Sequence, residues 1–309
     1  MRFELLRSLG VSNSLGEGVL WHPRQESLWW TDIEARQLYR YYPVIDHLDS
    51  WQTPERLTAF GFIQPGPSQA NSDDEPLIAA FDKGFALYTP TSGECHWLAQ
   101  PEPHLPRNRL NDGRVDREGR FWAGSMVEQG DPLMAEEAGS LYGYSSADGL
   151  QCQLRGIGIS NGLCWSPDGR TAYLADSARC VYYAYDFDPP SGSFSNRRVF
   201  ARTEPGVAPD GACVDAEGRV WNAQYGGGRV VCYAPDGELV AQLDLPVSQP
   251  TCVAFAGPDL SWLCVTSARA GLSAVQLASE PEAGNLLIYQ TQARGLPADF
   301  YRACRSRVR

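Results

Sequence analysis

The sequence lacks any run of apolar residues long enough to span a bilayer. Its first residues, Met1-Arg2-Phe3-Glu4-Leu5-Leu6-Arg7, lack the apolar stretch of a signal peptide, so a cytoplasmic protein is expected. Positive charge is in deficit: 26 Lys and Arg stand against 37 Asp and Glu, a formal net charge of -11. Phosphate recognition needs clustered cations, so no nucleic-acid partner is expected. The short cluster Arg302 to Arg309 reads as a solvated tail. The nine cysteines contain no Cys-x-x-Cys pair, and their odd number favours buried free thiols over a disulfide framework. No Gly-rich loop precedes a helical pattern, and Gly226-Gly227-Gly228 follows a strand pattern, as a tight connection would. Ser160, Ser166 and Ser177 lack a Gly-x-Ser-x-Gly elbow, and His22, His47, His96 and His104 show no metal-ligand spacing. Long amphipathic helical periodicity is missing too, which argues against helical repeats and a parallel α/β sheet.

What the chain does contain is a repeated turn. It is clearest at His22-Pro23-Arg24-Gln25-Glu26, Asp116-Arg117-Glu118-Gly119-Arg120, Ser166-Pro167-Asp168-Gly169-Arg170 and Asp215-Ala216-Glu217-Gly218-Arg219. Each turn separates two short apolar runs, as Gly162–Trp165 and Thr171–Leu174 do. Weaker versions occur at Asn71–Pro76, before Leu77-Ile78-Ala79-Ala80, and at Gly257-Pro258-Asp259, before Ser261–Thr266. The spacing of roughly 40 to 50 residues is that of propeller blades. Within a unit, short strands follow one another, as in Gly162–Trp165, Thr171–Ala175, Val181–Asp186 and Arg197–Ala201. The expected fold is all-β: one six-bladed β-propeller domain over 1–309 with four antiparallel strands per blade, a pair of β-sandwiches being the alternative. A monomer is the default for this architecture.

Five residues before each of the four clear turns stand Glu17, Asn111, Asn161 and Asp210. Repeats arranged about an axis bring equivalent positions together, so these four converge at one rim of the central channel. The sixth unit offers Thr251 there, a weaker ligand. An outer polar rim is expected on the same face from Asp32, Asp82, Ser125-Met126, Asp176, Gln224 and Ser267. Glu17, Asn161 and Asp210 would make an oxygen-only site with two negative charges, suited to one divalent cation: Ca²⁺, Mg²⁺ or Mn²⁺, with Zn²⁺ or Fe²⁺ also compatible. Asn and Asp before Gly also make turns, but Glu17 in the same phase has no such explanation. Arg109, two residues before Asn111, would reach the same cavity. Glu128 and Gln129, in the stretch Glu128–Gly139, would belong to a loop covering it.

The series Gly16-Glu17-Gly18-Val19-Leu20-Trp21, Arg109-Leu110-Asn111-Asp112-Gly113, Gly119-Arg120-Phe121-Trp122-Ala123-Gly124, Ile159-Ser160-Asn161-Gly162 and Pro209-Asp210-Gly211 resembles the SMP-30/gluconolactonase/regucalcin family. Gln249–Phe255 and Val265–Ala268 extend the resemblance, which runs from about Leu15 to Leu287 in the family's order and spacing. It implies a six-bladed propeller with one divalent cation held by Glu17, Asn161 and Asp210, and Arg109 and Asn111 touching substrate. It also implies hydrolysis of a sugar-acid (aldono)lactone. Some members carry a second Glu where this chain has Gln129, after Glu128. The expected reaction has the cation polarising the lactone carbonyl, with Asp210 or a cation-held hydroxide driving water attack. The alternatives are a propeller hydrolase of other esters or phosphotriesters, and a non-enzymatic calcium-handling or protein-binding propeller.

Overall fold

In the computed structural model, which describes residues 1–65, 75–129 and 139–303, the repeated turn joins the first and second strands of a blade. Its construction is local. The Asp116 carboxylate, buried, accepts the amides of Glu118 and Arg120 at 2.9 Å each and also takes Arg120 Nε at 2.7 Å and Trp122 Nε1 at 2.8 Å. Asp215 repeats the pattern with Glu217, Arg219 and Trp221. Gly119 and Gly218 sit at φ 81°, a left-handed conformation that lets the chain reverse in so few residues. In the weak turn before Leu77, residues 71–74 lie outside the described residues.

Six four-stranded antiparallel sheets result. Blade 1 spans 16–52, blade 2 57–99, blade 3 108–157, blade 4 160–202 and blade 5 208–244. The expected strands of blade 4 appear slightly extended, as Ser160–Trp165, Thr171–Asp176, Val181–Asp188 and Ser193–Arg202. Gly226–Gly228 is the tight connection between Val220–Tyr225 and Arg229–Tyr233 of blade 5. Blade 6 takes three strands from 250–290 and its outermost from the other end of the chain: Glu4–Leu9 pairs antiparallel with Leu286–Gln290. That closure is absent from the repeat pattern, because it joins segments nearly the whole chain apart. The inner strands Gly16–His22, Leu57–Phe62, Asn108–Val115, Ser160–Trp165, Ala208–Val214 and Pro250–Ala256 contact one another in a ring around the channel.

Cores lie between neighbouring blades. Trp30, Trp122 and Trp221 are fully buried, and each apolar cluster mixes residues of two sheets, as where Trp221 and Val230 meet Val253 and Leu263. The eight described cysteines are free, five of them buried, in line with the thiol expectation; Cys304 and the rest of the tail from 304 lie outside the described residues. One short helix, Ala274–Ser279, is closed by a Ser273/Gln276 capping box. Among the described residues no helix is long and apolar enough to cross a membrane. After blade 6 the chain crosses the face where the repeated turns lie. Gly295 bridges to Asp215, Tyr301 pairs with Ile63, and the Arg302 amide bonds the Gly119 carbonyl at 2.9 Å. There Leu296, Ala298 and Asp299 line a cavity of about 80 Å³ with Leu20 and Arg114.

Candidate functional site

Every inner strand breaks register with its neighbour by one extra residue. In blade 1 Glu17 opposes Thr31 and Leu20 opposes Trp29, three steps against two. The same slip falls between Leu110 and Gly113, Asn161 and Cys164, Pro209 and Ala212, and Pro250 and Val253, with a shorter one between Leu57 and Ala59. Such a bulge re-aims the side chain that carries it. It is also what gives the four polar residues one phase: Glu17, Asn111, Asn161 and Asp210 all stand at their strand's bulge. Gly162 shows how tight the place is. Its φ is 60°, and a Cβ there would come within 2.7 Å of the Asp210 carbonyl oxygen.

Glu17, Asn161 and Asp210 are each less than a tenth exposed. The Asn161 amide is oriented by Ser177, whose Oγ accepts from Nδ2 at 2.8 Å and donates to the Pro209 carbonyl at 2.6 Å. That leaves Asn161 Oδ1 to accept from Asn111 Nδ2 at 2.8 Å. Asn111 Oδ1 in turn accepts Arg109 Nη1 at 2.7 Å. A continuous chain of bonds therefore runs from Asn161 to Arg109, and Arg109 Nε continues it to Glu128 at 3.1 Å. Glu17 Oε2 accepts the Gly18 amide at 3.0 Å. Asp210 Oδ1 is buried with no hydrogen-bond partner.

The charges are the telling part. Burial, then the neighbouring Asp112 carboxylate, pushes Glu17 up to about 8. Burial, Glu17 and Asp112 push Asp210 well above the usual carboxylate range. Asp112 is itself raised by burial, with Arg114 opposing. Carboxylates packed this closely away from water are costly unless a cation joins them. Two carboxylates, one of them Asp210 with its orphaned oxygen, and the Asn161 amide oxygen form a donor set of hard oxygen atoms, and the residues fit a divalent cation.

The remaining expected positions divide. Arg109 is buried against Asn111, and Glu128 is held by Arg109 and Arg56. Gln129 is exposed, outside this chain of bonds; of the stretch Glu128–Gly139, residues 130–138 lie outside the described residues. Thr251 spends its hydroxyl on the Gly16 carbonyl and on Thr266. Two residues of the outer rim are structural: Asp32 accepts the amides of Ser14 and Leu15, and Asp176 those of Gly158 and Ile159, fixing the chain as it enters an inner strand. Ser125 bonds Glu102, Gln224 bonds Tyr233, and Ser267 bonds the Asn285 carbonyl. Reading residues singly missed Ser177, Asp112 and Arg56. Arg56 had a signal, because it precedes the bulge residue Thr58 by two positions, as Arg109 precedes Asn111. Ser177 had none beyond lying next to Asp176.

Residues 15–269 match the family described as SMP-30/Gluconolactonase/LRE-like region. The chain is 38% identical over 286 residues to an L-arabinolactonase of Azospirillum brasilense, covering 92% of this chain and 91% of that protein. It is 37% identical over 272 residues to a 6-deoxy-6-sulfogluconolactonase of Pseudomonas putida, covering 87% and 89%. The crystal structure of a calcium-binding protein, regucalcin, from Agrobacterium tumefaciens superposes with a TM-score of 0.87 at 30% identity, over 96% of this chain and 98% of that one. Family match, near full-length relatives and the six-bladed ring agree, and this chain belongs to the SMP-30/gluconolactonase/LRE-like family.

Proposed function

We propose that the protein hydrolyses a sugar-acid lactone to the open-chain acid, with a divalent cation held by Glu17, Asn161 and Asp210. The observation that carries this reading is the buried, unpartnered Oδ1 of Asp210 beside a second buried carboxylate, Glu17, in a chain related to named lactonases. When bound, the cation supplies the positive charge that polarises the lactone carbonyl and steadies the oxyanion formed on attack. Asp210 accepts the proton of the attacking water while the new C–O bond forms. It returns that proton to the ring oxygen as the ring C–O bond breaks. Arg109 and Asn111 hold the sugar's hydroxyl or carbonyl oxygens in place, and Ser177 keeps the Asn161 oxygen turned into the channel.

The test is a pH-indicator assay on a panel of aldonolactones, with metal-stripped protein and Ca²⁺, Mg²⁺, Mn²⁺, Zn²⁺ or Fe²⁺ restored one at a time. Turnover of one or two lactones that returns with a particular cation is the expected result. If no cation restores hydrolysis of any lactone, the reading is overturned. Calorimetry on the same samples then separates a cation-binding propeller, the reading favoured by the likeness to a calcium-binding protein, from one that binds none.

A further inference from the structure

Two arginines from adjacent blades converge on one carboxylate at the mouth of the channel. Arg56, immediately ahead of blade 2, and Arg109 in blade 3 share a repeat phase, each two residues ahead of its strand's bulge residue. Arg56 meets Glu128 with both terminal nitrogens, at 2.6 Å and 3.0 Å, and Arg109 reaches it through Nε at 3.1 Å. Arg56 also holds Asp82 at 2.8 Å and Glu34 at 3.2 Å. Among the described residues two guanidiniums thus face three carboxylates, and the group carries one excess negative charge. Forked guanidinium–carboxylate contacts are among the strongest polar contacts at a protein surface. An anion arriving at this mouth meets guanidiniums whose charge is already offset by carboxylates tethered to the chain. Arg109 is also bonded to Asn111, so the charge at the mouth lies beside the place proposed for the sugar.

We infer that Glu128 sets the charge selectivity of the site: by offsetting the charge of Arg56 and Arg109 it confines the site to neutral, polyhydroxylated lactones and turns away those bearing a carboxylate, sulfonate or phosphate. The inference rests on the lactonase reading and names its substrate class. Glu128 is a specificity-determining residue that acts through the two arginines. Without its charge, Arg109 keeps as hydrogen-bond partners only the Leu110 carbonyl and Asn111 among the described residues, and loses the one carboxylate that touches it, with Asp82 and Glu34 left as more distant negative neighbours. Arg56 keeps Asp82 and Glu34.

The experiment compares kcat/KM of the cation-loaded enzyme for an aldono-1,4-lactone and for the aldaro-1,4-lactone of the same configuration. The two differ by a hydroxymethyl or a carboxylate at the last carbon. The wild type should favour the neutral lactone by about tenfold or more, and Glu128→Gln should shrink that ratio by about tenfold. Arg56→Gln should move it the other way, because Glu128 then faces Arg109 alone. Added salt should weaken the discrimination. A wild type that prefers the aldarolactone, or a ratio unmoved in active Glu128→Gln, overturns the inference and leaves the lactonase reading intact. Should Glu128→Gln fail to fold, Arg56→Gln decides, and a ratio equal to or below wild type overturns it. A wild type inactive on both, and on the wider panel, overturns the lactonase reading and this inference with it.

Discussion

Asp210 carries the heaviest demands of any single residue. It is buried, one oxygen has no partner, and Glu17 and Asp112 both raise its proton affinity. Asp210→Ala removes both a proposed cation donor and the proposed base, and should lower kcat by about a hundredfold or more in the lactone assay. Near-normal turnover in that variant would remove Asp210 from both roles. Ser177 acts one step back, through Asn161. Ser177→Ala frees the amide to rotate and should weaken cation affinity about 10- to 100-fold by calorimetry, while Ser177→Thr keeps the hydroxyl and should recover most of it. Equal affinity in all three proteins would mean that Asn161 is held by other contacts. At this scale the candidate site was legible as a phase, because Glu17, Asn161 and Asp210 recur at one distance from the turn. The roles of Ser177 and Arg56 were not, since a hydroxyl or guanidinium gains its meaning from a partner on another blade.

The element that recurs most faithfully is the turn built on Asp116 and again on Asp215. Asp215 is fully buried and satisfies two amides, the Arg219 guanidinium and the Trp221 indole. Asp215→Ala leaves these donors unmatched and should cost about 3 kcal/mol in urea unfolding. A loss within about 0.5 kcal/mol of zero, the range for ordinary surface changes, would show that water replaces it. In blade 1 the turn uses His22, whose Nδ1 accepts the Gln25 amide at 3.1 Å and whose ring packs edge-on to Phe62 and Phe300. Burial, with Arg24 and Arg40 adding to it, pushes His22 down to about 4, although Glu75 lies 4.0 Å away. The unfolded chain takes up this proton first, near pH 6.5, so the contribution is complete above that value and is lost as pH falls towards 4. His22→Gln should flatten the fall in urea midpoint between pH 7 and pH 4.5, and an unchanged slope would assign it to other groups. The paired strands and turns were legible because hairpins are local. The bulges were not, since an extra residue shows only against the strand it faces.

At the scale of the whole ring, closure depends on a strand that no repeat announces. Glu4–Leu9 covers the outer edge of blade 6, and deleting residues 1–9 exposes Leu286–Gln290 as an unpaired edge. That deletion should lower the melting temperature and promote association, both visible by scanning calorimetry and light scattering. A monomer that melts like the full chain would contradict it. The proposed cation would act on the same ring from its centre, because its donors would come from three blades. At a concentration of about 100 Kd, the cation should add about 2.7 kcal/mol to stability, and a chelator should remove it. No change in melting on adding any of the five cations would count against the site.

The segment between Gly295 and Arg302 crosses the face opposite the proposed site, tied to Asp215, Ile63 and Gly119. A floor crossed in this way would leave lactone and acid the same doorway at the rim. On the lactonase reading the two must take turns, so added aldonate should raise the apparent KM and leave kcat alone. A doorway with a net negative charge also hastens the acid outward, since hydrolysis turns a neutral guest into one of the same sign as its surroundings.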